Sequence, residues 1–485
     1  MQIDPSGAGV PFWIAGRRAT SDVLADVVNP YDGSVVARHC VPTPDQVAQA
    51  LADTWAARHE TAAQPAAVRA EALMHVSVSV AARAEEIAGL ITAENGKPLM
   101  WARAEAHRVA STFRWAAEEA RRFNGEFQRL DTDPAAAGRA ALVRRFPIGP
   151  VLGIAPFNFP LNLTAHKVAP AIAVGAPIVI KPAPSTPLSA LLLGELLSET
   201  DLPAGSWSVL PVGNDAAAGL VADPRLPVVS FTGSDVVGYQ IQASVPTKHV
   251  TLELGGNAAA VVLADWSSEA DLEWAARRIA TFANYQAGQS CISVQRVLVD
   301  VSLMDRLVPL IVERVRGLAT GSPWDDATVV GPLVSEAAAQ RVESWVAEAV
   351  AAGARVLTGG VREGATMAPT VLVDAPADAK VCAEEVFGPV LVIVAVDGTD
   401  EAFASVNDSR FGLQTGVFTH DMVTAFRAHT ELEVGGVVIG DVPSFRADQM
   451  PYGGVKASGF GREGLKSARA DFTYEKVMVL TGLPL

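Results

Sequence analysis

The sequence predicts an α/β protein with two or more domains, and three observations support this fold class. A chain of 485 residues is too long for one ordinary hydrophobic core. Residues 66–122 place Ala, Leu and Ile at spacings of three and four, which indicates helices. Short β-rich runs then alternate with helical segments between residues 151 and 232, and again between residues 294 and 440. This order is typical of parallel sheets covered by helices on both faces.

The first α/β segment contains four predicted strands, at residues 151–155, 177–181, 207–211 and 228–232. The stretch STPL at 185–188 predicts the start of an intervening helix, with a capping residue followed by Pro187 at the first helical position. Because ligand sites in such sheets lie beyond the carboxyl ends of the strands, we expect the chemistry there.

The charge pattern argues against polyanionic partners. The formal charge is −15, and there is no run rich in Lys or Arg that could neutralise a phosphate backbone or an anionic membrane surface. Apolar residues make up 49% of the chain and charged residues 19%, as in a soluble globular protein. We therefore expect no nucleic acid partner.

Cysteine use and the N-terminal residues predict a cytoplasmic protein. The three cysteines, Cys40, Cys291 and Cys382, are too few and too far apart for a disulfide framework or a metal site. Residues 1–6 lack the basic start and apolar run of a signal peptide. The longest apolar run, 168–180, is broken by prolines and is shorter than the roughly 20 residues of a membrane helix. We expect neither a metal nor a membrane partner.

Cys291 and Glu253 are candidate catalytic residues. Cys291 lies among small and polar residues in a stretch, 286–295, that looks accessible, although a loop cysteine can also be merely tolerated. Glu253 ends a predicted strand with apolar neighbours, so partial burial would disfavour its ionised form and suit a general base near neutral pH. Taken alone, it also fits a capped or salt-bridged residue.

Asn158 and the segment 231–238 are candidates for anion binding. Asn158 is held between aromatic residues and prolines, so its amide could stabilise an oxyanion, or could bond its own backbone in a turn. The segment 231–238 follows a strand and opens a helix, where a pyrophosphate could rest close to Gly233, Ser234 and Gly238. Its spacing is not the Gly-x-Gly-x-x-Gly fingerprint.

Seven motifs, taken together and in order, resemble the aldehyde dehydrogenase superfamily. They are PFNFP (156–160), KPA (181–183), FTGS (231–234), LELGG (252–256), GQSC (288–291), EEVFGP (384–389) and PYGGVK (451–456). The resemblance runs from about residue 12 to the C-terminus. It implies oxidation of an aldehyde to a carboxylic acid with NAD or NADP as cofactor.

The resemblance also implies roles for the candidate residues. The Cys291 thiolate would attack the aldehyde carbon, and the oxyanion would accept hydrogen bonds from the Asn158 amide and the Cys291 N–H. Hydride loss from this thiohemiacetal would leave a thioester, which water activated by Glu253 would hydrolyse. Lys167 matches a lysine found near the catalytic asparagine, although a surface or strut lysine fits equally well.

The implied cofactor contacts are Phe157, Lys181, Pro184, Thr232, Gly233, Ser234, Gly238, Leu254, Glu385 and Phe387. Lys181 would bind the adenosine ribose, Glu385 the nicotinamide ribose, and Phe387 would pack near the nicotinamide. Pro184 stands where NAD-preferring relatives often have a glutamate that repels a 2′-phosphate. Discrimination against NADP should therefore weaken, and the choice between NAD and NADP stays open.

Two other differences from the family pattern look minor. Asn257 follows the glycine pair where a lysine is usual, and we interpret it as a surface change. Glu253 and Cys291 are 38 positions apart, a few more than in many relatives. The surplus fits best in a loop before a helix at 264–270.

The residues that follow Cys291 and Arg446 indicate the substrate class, because they resemble those of the lactaldehyde, semialdehyde and phosphonoacetaldehyde dehydrogenase branch. Arg108 and Arg446 could bind an anionic tail, or serve as ordinary structural arginines. Phe159 and Trp115 could instead line a tunnel for an apolar aldehyde, or pack in the core. Ser290 and Ile292, which flank the cysteine, are further candidate substrate contacts.

The resemblance implies a Rossmann-like coenzyme-binding domain at 1–124 and 145–255 and an α/β catalytic domain at 256–455. A small β bridging element at 125–144 and 456–485 would join subunits into homodimers or homotetramers, and the alternating tail 472–480 suits an intersubunit strand. Two alternatives stay open. One is a CoA-acylating semialdehyde dehydrogenase, against which Glu253 argues. The other is a catalytically silent structural or dinucleotide-binding protein.

Overall fold

The computed structural model describes residues 9–483. The expectation of no signal peptide at residues 1–6, and the outer ends of the predicted domains, lie outside these residues. The helices are α1 (Pro44–Ala63), α2 (Ala66–Ala82), α3 (Ala84–Asn95), α4 (Leu99–Arg121), α5 (Asn162–Val174), α6 (Leu188–Leu197), α7 (Asn214–Ala222), α8 (Asp235–Ser244), α9 (Glu269–Asn284), α10 (Met304–Arg316), α11 (Glu336–Ala351), α12 (Lys380–Ala383), α13 (Gly398–Asn407), α14 (Met422–Glu431) and α15 (Leu465–Asp471). Short 3₁₀ turns lie at Pro134–Ala136, Tyr285–Gly288 and Val301–Leu303.

The strands are β1 (Phe12–Ile14), β2 (Arg17–Ala19), β3 (Leu24–Val28), β4 (Val35–Cys40), β5 (Glu126–Arg129), β6 (Arg139–Pro147), β7 (Val151–Ile154), β8 (Ile178–Lys181), β9 (Trp207–Val209), β10 (Val228–Thr232), β11 (His249–Glu253), β12 (Ala259–Val262), β13 (Arg296–Asp300), β14 (Arg355–Thr358), β15 (Arg362–Glu363), β16 (Thr366–Met367), β17 (Thr370–Val373), β18 (Val390–Val396), β19 (Phe411–Gly412), β20 (Gln414–Phe418), β21 (Gly436–Ile439), β22 (Val455–Lys456), β23 (Gly459–Phe460) and β24 (Thr473–Thr481). The predicted α/β class is confirmed. The helical prediction for 66–122 corresponds to α2, α3 and α4.

The first large sheet has eight strands in the order β2-β1-β9-β8-β7-β10-β11-β23. Its centre, from β9 to β11, is parallel, and the four strands predicted between residues 151 and 232 all lie there. The register aligns Ile154 with Lys181 and with Phe231, and Thr232 with Glu253. The carboxyl ends of four strands therefore meet along one edge, where the candidate site residues follow them.

The second large sheet has seven strands in the order β14-β17-β18-β13-β12-β20-β21, parallel except for β14. Alternate residues of β12 point to opposite faces. Ala260 and Val262 pack with α9 and α10. Ala259 and Val261 pack with α13 and α14 on the other face. Helices thus cover both faces, as the alternation of the sequence predicts.

A third sheet has the order β24-β6-β5, with β24 antiparallel to β6 along its whole length. The tail is a strand, as predicted, and it forms an edge of this sheet. Its outward side chains include Tyr474, Val477, Met478 and Val479, which are 43 to 56% exposed. The predicted division into coenzyme, catalytic and bridging domains stays a prediction. Over residues 9–483, none of the helices combines the length and apolar character needed to span a bilayer.

The prediction that a neighbouring residue caps the N-terminus of α6 is wrong. The helix begins at Leu188, after Pro187, and no nearby side chain caps it. Instead, Glu94 from α3 accepts hydrogen bonds from the backbone N–H groups of Leu188, at 2.7 Å, and Ser189, at 3.0 Å. Burial raises the pKa of Glu94 to about 8. A distant carboxylate thus replaces the local cap that the residues before Pro187 suggested.

Candidate active site

Cys291 is positioned by an unusual backbone turn that follows α9. Gln286, Ala287 and Gly288 have φ values of 51°, 54° and 69°, a run in the left-handed region that only Gly adopts readily. At Gly288 a Cβ atom would lie 2.0 Å from the carbonyl oxygen of Gly388, so this position requires glycine. The turn ends the helix abruptly and presents Cys291, which is partly exposed, to a cavity.

Among the described residues, the sulfur of Cys291 has one hydrogen-bond partner, the hydroxyl of Tyr452, which lies 3.0 Å from Sγ. Burial raises the pKa of the Cys291 thiol above its ordinary value, whereas the bond to Tyr452 and the positive charge of Arg446 act in the opposite direction. The carboxyl groups of Glu385 and Glu253 also raise this pKa. Burial thus disfavours the thiolate, and Tyr452 and Arg446 favour it.

Asn158 is buried and bonded to the turn that precedes Cys291. Its Nδ2 donates to the backbone carbonyl of Gln289 at 3.0 Å, and Gln286 Nε2 donates to the backbone carbonyl of Asn158. One N–H of the Asn158 amide remains, because Nδ2 carries two. The backbone N–H of Cys291 has no acceptor among residues 9–483. Two donors are thus available for an oxygen bound beside the sulfur.

The loop that carries Asn158 is fixed by two helices of the N-terminal half. Asn95 at the end of α3 donates from Nδ2 to the Phe157 carbonyl at 2.7 Å. Glu105 of α4 accepts the N–H groups of Leu161 and Asn162, both at 3.0 Å, and so caps α5. These bonds hold both ends of the loop and leave its centre, Asn158, facing the cavity.

A buried lysine neutralises the Glu105 carboxylate. Lys97 is fully buried, donates to Glu105, and places its ammonium 4.1 Å from the centre of the Phe159 ring. Burial lowers the pKa of Lys97, while Glu105 opposes that shift. The pair therefore orders the loop on both sides of Asn158.

Glu253 ends β11 and is almost completely buried. Its Oε1 accepts the backbone N–H of Glu463 at 3.2 Å, whereas Oε2 is buried and has no hydrogen-bond partner. Burial, followed by the charge of Glu463, raises the pKa of Glu253 well above its ordinary value. A carboxylate with a free oxygen and a raised pKa suits proton transfer near neutral pH.

Lys167 lies in α5 and is fully buried, so it is not a surface lysine. Its Nζ donates to Thr232 Oγ1 at 2.7 Å, Ser230 Oγ at 3.2 Å and Glu463 Oε1 at 3.3 Å. Although burial opposes the shift, Lys167 and Arg446 lower the pKa of Glu463 to about 2. These two cations therefore favour the ionised form of Glu463, whose backbone N–H donates to Glu253.

A cavity of about 290 Å³ opens over Cys291. Its walls contain Asn158, the predicted substrate contacts Arg108, Phe159, Ser290, Ile292 and Arg446, and the aromatic residues Trp101, Phe282, Tyr285, Phe445 and Tyr452. Ile292 packs with Leu413 and Tyr452 beside the sulfur, and Ser290 Oγ accepts the hydroxyl of Tyr285. The cavity suits a small molecule with one polar end.

Three arginines line this cavity, and one of them, Arg278, is held by two hydrogen bonds to Asp441. Arg108 donates to Asp448 at 2.8 Å, and Arg446 donates to Glu463 at 3.0 Å. His166 lies between these ion pairs, with Nε2 at 3.1 Å from Asp448 and Nδ1 at 3.4 Å from Arg446. The carboxylate partners of Arg108 and Arg446 accept from Nη2. Because a guanidinium has five N–H donors, each of these two arginines keeps donor capacity for an anion in the cavity.

Most residues predicted to hold a dinucleotide follow the strands of the first sheet, whereas Glu385 and Phe387 precede β18 of the second sheet and contact Gly256 and Phe157. Lys181 is buried and donates to Asn214 Oδ1 at 3.0 Å and to the Pro182 carbonyl, both of them neutral, and burial lowers its pKa to about 8. Glu385 accepts the Gly256 N–H at 2.9 Å, and burial raises its pKa to about 7. The Lys181 ammonium and the Glu385 carboxyl group hydrogen-bond only to neutral groups here. Both can therefore hydrogen-bond to the hydroxyl groups of a ribose.

Further predicted cofactor residues form the surroundings of α8. Ser234 caps this helix after β10, next to Thr232 and Gly233. A Cβ atom at Gly238 would lie 2.4 Å from Leu254 Cδ2, so the glycine lets α8 pack on that side chain. The N-terminus of a helix that follows a strand in this way can bind a phosphate group.

The other predicted cofactor residues lie away from α8. Phe157 and Phe387 meet edge to face, with ring centres 5.8 Å apart, and Pro184 is exposed near Lys181.

Of the two alternatives for Trp115, the structure agrees with core packing. Trp115 packs against the core of the first sheet, beneath Arg114, and is not among the described residues that line the cavity. The interpretation of Asn257 as a surface change is wrong. Asn257 is buried, not on the surface, and its amide donates to the backbone carbonyls of Cys382 and Glu384. Residues 264–268 form the loop before α9, and residues 269 and 270 already belong to that helix.

Several residues of the site were not predicted from the sequence. Tyr452 lies in the PYGGVK motif but had no predicted role, and Glu463, His166 and Asp448 were not predicted at all. The position of Tyr452 directly before the glycine pair of this motif is the one local signal. The others become visible only when α5 and the C-terminal segment come together.

Comparison with known proteins agrees with this geometry. The profile of the aldehyde dehydrogenase family matches residues 16–478. The chain is 40% identical over 471 residues to a 3-sulfolactaldehyde dehydrogenase of Priestia aryabhattai, covering 97% of each chain. Aldehyde dehydrogenase 21 of Physcomitrella patens, solved with its reaction product succinate, is 42% identical with a TM-score of 0.96, covering 99% of this chain and 100% of that one.

An NADP-dependent glyceraldehyde-3-phosphate dehydrogenase of Bacillus halodurans, solved with NADP, is 33% identical with a TM-score of 0.94, covering 98% of this chain and 100% of that one. Both the sequence and the fold match over nearly the whole length. The chain therefore belongs to the aldehyde dehydrogenase family and is an oxidoreductase that converts aldehydes to carboxylic acids with NAD or NADP.

Proposed function

We propose that the substrate is a small aldehyde with an acidic group at its far end, bound by Arg108 and Arg446. The observation that carries this proposal is that Arg108 and Arg446 both line the cavity that contains Cys291. Each guanidinium is held by a carboxylate at Nη2, and its remaining Nη donors can bond an anion in the cavity. The relatives support this proposal. Two of them are named as dehydrogenases of aldehydes that carry a sulfonate or a phosphate group, and the structure of a third contains succinate, a dicarboxylate.

In this proposal Cys291 is the nucleophile and forms a thiohemiacetal with the aldehyde carbon. The remaining N–H of Asn158 and the N–H of Cys291 stabilise the oxyanion, and the loop contacts of Asn158 keep its amide oriented. Lys181, Glu385 and the N-terminus of α8 would hold NAD or NADP, which would supply the acceptor for the hydride that leaves the tetrahedral carbon. The protein is left as a thioester at Cys291.

Glu253 then removes a proton from the water that attacks the thioester. Its unpartnered Oε2 is the oxygen available for this step. Glu463, kept ionised by Lys167 and Arg446, holds Glu253 through its backbone N–H and discourages a second negative charge, which keeps Glu253 a stronger base. Lys167 therefore supports the base and is not itself a reacting group.

A CoA-acylating reaction would not need this base. The test is to incubate enzyme, aldehyde and cofactor with and without coenzyme A and to identify the product. We expect the free acid in both cases. Acyl-CoA as the main product would assign the chain to the acylating branch instead.

The nucleophile is tested with Cys291→Ala. We expect this variant to lose aldehyde oxidation while it still binds cofactor, measured by quenching of protein fluorescence. A panel of aldehydes with NAD and with NADP tests the substrate class. Higher kcat/KM for neutral than for acidic aldehydes of equal length would contradict an anion-binding pocket.

We further infer that the chain forms a homodimer or homotetramer and works in the cytoplasm. The apolar, exposed edge strand β24 supports assembly, because such an edge is a liability in a monomer. Cys291 and Cys382 are thiols, as a reducing compartment maintains them. Light scattering after size-exclusion chromatography would measure the assembly, and a monomer at micromolar concentration would contradict it.

A further inference from the structure

Tyr452 has a hydroxyl group that the reaction described so far does not use. Tyr452 is 4% exposed and packs with Ile292 and Leu413, and among the described residues its hydroxyl has one hydrogen-bond partner, the sulfur of Cys291 at 3.0 Å. A buried phenol normally keeps a hydrogen-bond partner. Here that partner is the atom that reacts with substrate.

The position of Tyr452 is fixed from two directions. Its backbone exchanges two hydrogen bonds with Glu463, of 3.0 and 2.7 Å. The guanidinium of Arg446 lies over its ring, with Cζ 3.9 Å from the ring centre. The cation on the ring makes the phenol a better hydrogen-bond donor, because it withdraws electron density from the ring.

We propose that Tyr452 is a catalytic residue that stabilises the Cys291 thiolate by an O–H···S⁻ hydrogen bond. This inference rests on the proposed role of Cys291 as the nucleophile. When the thiol ionises, the S–H bond breaks, the electron pair stays on sulfur and the proton passes to water. The phenol keeps its own proton and donates it in the hydrogen bond.

The phenol acts as a donor and not as a base. Burial, followed by the neighbouring charge on Cys291, raises the pKa of Tyr452 well above its ordinary value. When sulfur attacks the aldehyde carbon, its negative charge moves to the carbonyl oxygen, and the bond from Tyr452 weakens. The hydroxyl thus stabilises the nucleophile without persisting as a strong bond to the adduct.

Other ionisable groups near the sulfur act through space. Glu253 at the end of β11 and Glu385 after α12 raise the pKa of Cys291, and Arg446 from the loop after β21 lowers it. Tyr285, in the 3₁₀ turn before Cys291, is bonded to Ser290 Oγ instead of the sulfur. Tyr452 alone among these groups hydrogen-bonds to Sγ, so it has the most direct effect on the thiolate.

The test measures the rate of iodoacetamide alkylation of Cys291 against pH, in enzyme without substrate, for the wild type, Tyr452→Phe and Tyr285→Phe. Mass spectrometry of the peptide containing Cys291 separates it from the buried Cys40 and Cys382. We expect Tyr452→Phe to move the midpoint upward by about one pH unit, roughly a tenfold slower reaction below the midpoint. Tyr285→Phe is the matched control, and its midpoint should stay near that of the wild type.

An unchanged or lowered midpoint in Tyr452→Phe would overturn the proposal. An equal upward shift in both variants would also overturn it, since the effect would then be general to the cavity. Replacement of Tyr452 by a difluorotyrosine keeps the volume and strengthens the donor, so the midpoint should fall. This second variant decides the question even if the phenylalanine variant is unstable in thermal unfolding.

The outcomes separate this inference from the proposed function. If Cys291→Ala is inactive and Tyr452→Phe keeps the wild-type midpoint, the nucleophile stands and the role of Tyr452 fails. If Cys291→Ala retains oxidation while the midpoint shifts in Tyr452→Phe, the hydrogen bond to the thiolate stands and the nucleophile assignment fails.

Discussion

The side-chain amide of Asn158 donates to the backbone carbonyl of Gln289 at 3.0 Å, two residues before Cys291. This bond joins the loop after β7 to the turn after α9, which belong to different sheets of the fold. Asn158, the proposed oxyanion donor, and Cys291, the proposed nucleophile, are therefore held by one hydrogen-bonded unit. Movement of either loop alone would break a buried bond.

Asn158→Ala should lower kcat/KM by about 10²- to 10³-fold, because one donor to the oxyanion is lost. Steady-state kinetics would measure this effect. Asn95→Ala is the control for the position of the loop, since it removes only the bond to the Phe157 carbonyl. A loss as large in Asn95→Ala would show that order in the loop, and not the amide itself, is limiting.

Glu253→Gln should release a first equivalent of reduced cofactor rapidly and then turn over slowly, because acylation does not need the base and hydrolysis does. Stopped-flow absorbance at the wavelength of reduced nicotinamide would record the burst. Steady turnover at the wild-type rate would mean that another group activates the water.

The rate of hydrolysis should rise with pH, because the base must be deprotonated and the pKa of Glu253 is raised by burial and by Glu463. The rise should extend well above the ordinary range of a carboxylic acid. Glu463→Gln removes the neighbouring charge, so the pKa of Glu253 should fall and the profile should move to lower pH. A profile that moved to higher pH would contradict the assigned coupling.

Arg108→Gln should raise KM for an acidic aldehyde by about 10- to 100-fold, the effect of losing a hydrogen bond to a charged group. A four-carbon aldehyde with a terminal carboxylate and butanal form a suitable substrate pair, and KM for butanal should change little. Arg114→Gln is the matched control, because Arg114 lies on the same helix and is exposed. Equal effects on both aldehydes would place Arg108 outside the anion site.

Lys97→Met should destabilise the protein by about 3–5 kcal/mol, because it leaves the buried Glu105 carboxylate without its cation. Urea unfolding would measure the loss. The double variant Lys97→Met/Glu105→Gln removes the stranded charge and should recover part of the stability. An unchanged unfolding midpoint in the single variant would contradict an ionised pair.

Pro184→Glu should lower kcat/KM for NADP relative to NAD by at least about tenfold, because a carboxylate would repel a 2′-phosphate. The variant Pro184→Gln has nearly the same size without the charge and should leave the ratio near that of the wild type. A similar change in both variants would indicate an effect of the backbone and not of charge.

Most of the fold could be predicted from the hydrophobic periodicity of the sequence and from the order of its strands and helices. The strands from Val151 to Thr232 were predictable because buried parallel strands are short apolar runs between helices. The capping of α6 was not, because Glu94 lies almost a hundred residues earlier and reaches the helix through tertiary packing. Local capping rules describe only the residues next to a helix.

The candidate site, too, could be predicted where residues stand in local motifs but not where contacts depend on tertiary packing. Cys291, Asn158 and Glu253 stand in distinctive motifs, and the structure places the first two in one cavity, although their chemical roles stay predictions. The link from Glu253 through Glu463 to Lys167 could not be read from the sequence, because the C-terminal segment carries Glu463. Asn257 was misjudged as exposed because nothing local marks the carbonyls that its amide meets.

The left-handed turn at Gln286, Ala287 and Gly288 limits how the pocket can be redesigned. Valine, isoleucine or threonine at 286 or 287 would clash with its own backbone there, whereas glycine adopts this conformation readily. Mutant libraries aimed at new substrates should therefore leave this wall intact and diversify the facing aromatic wall, at Trp101 and Phe445.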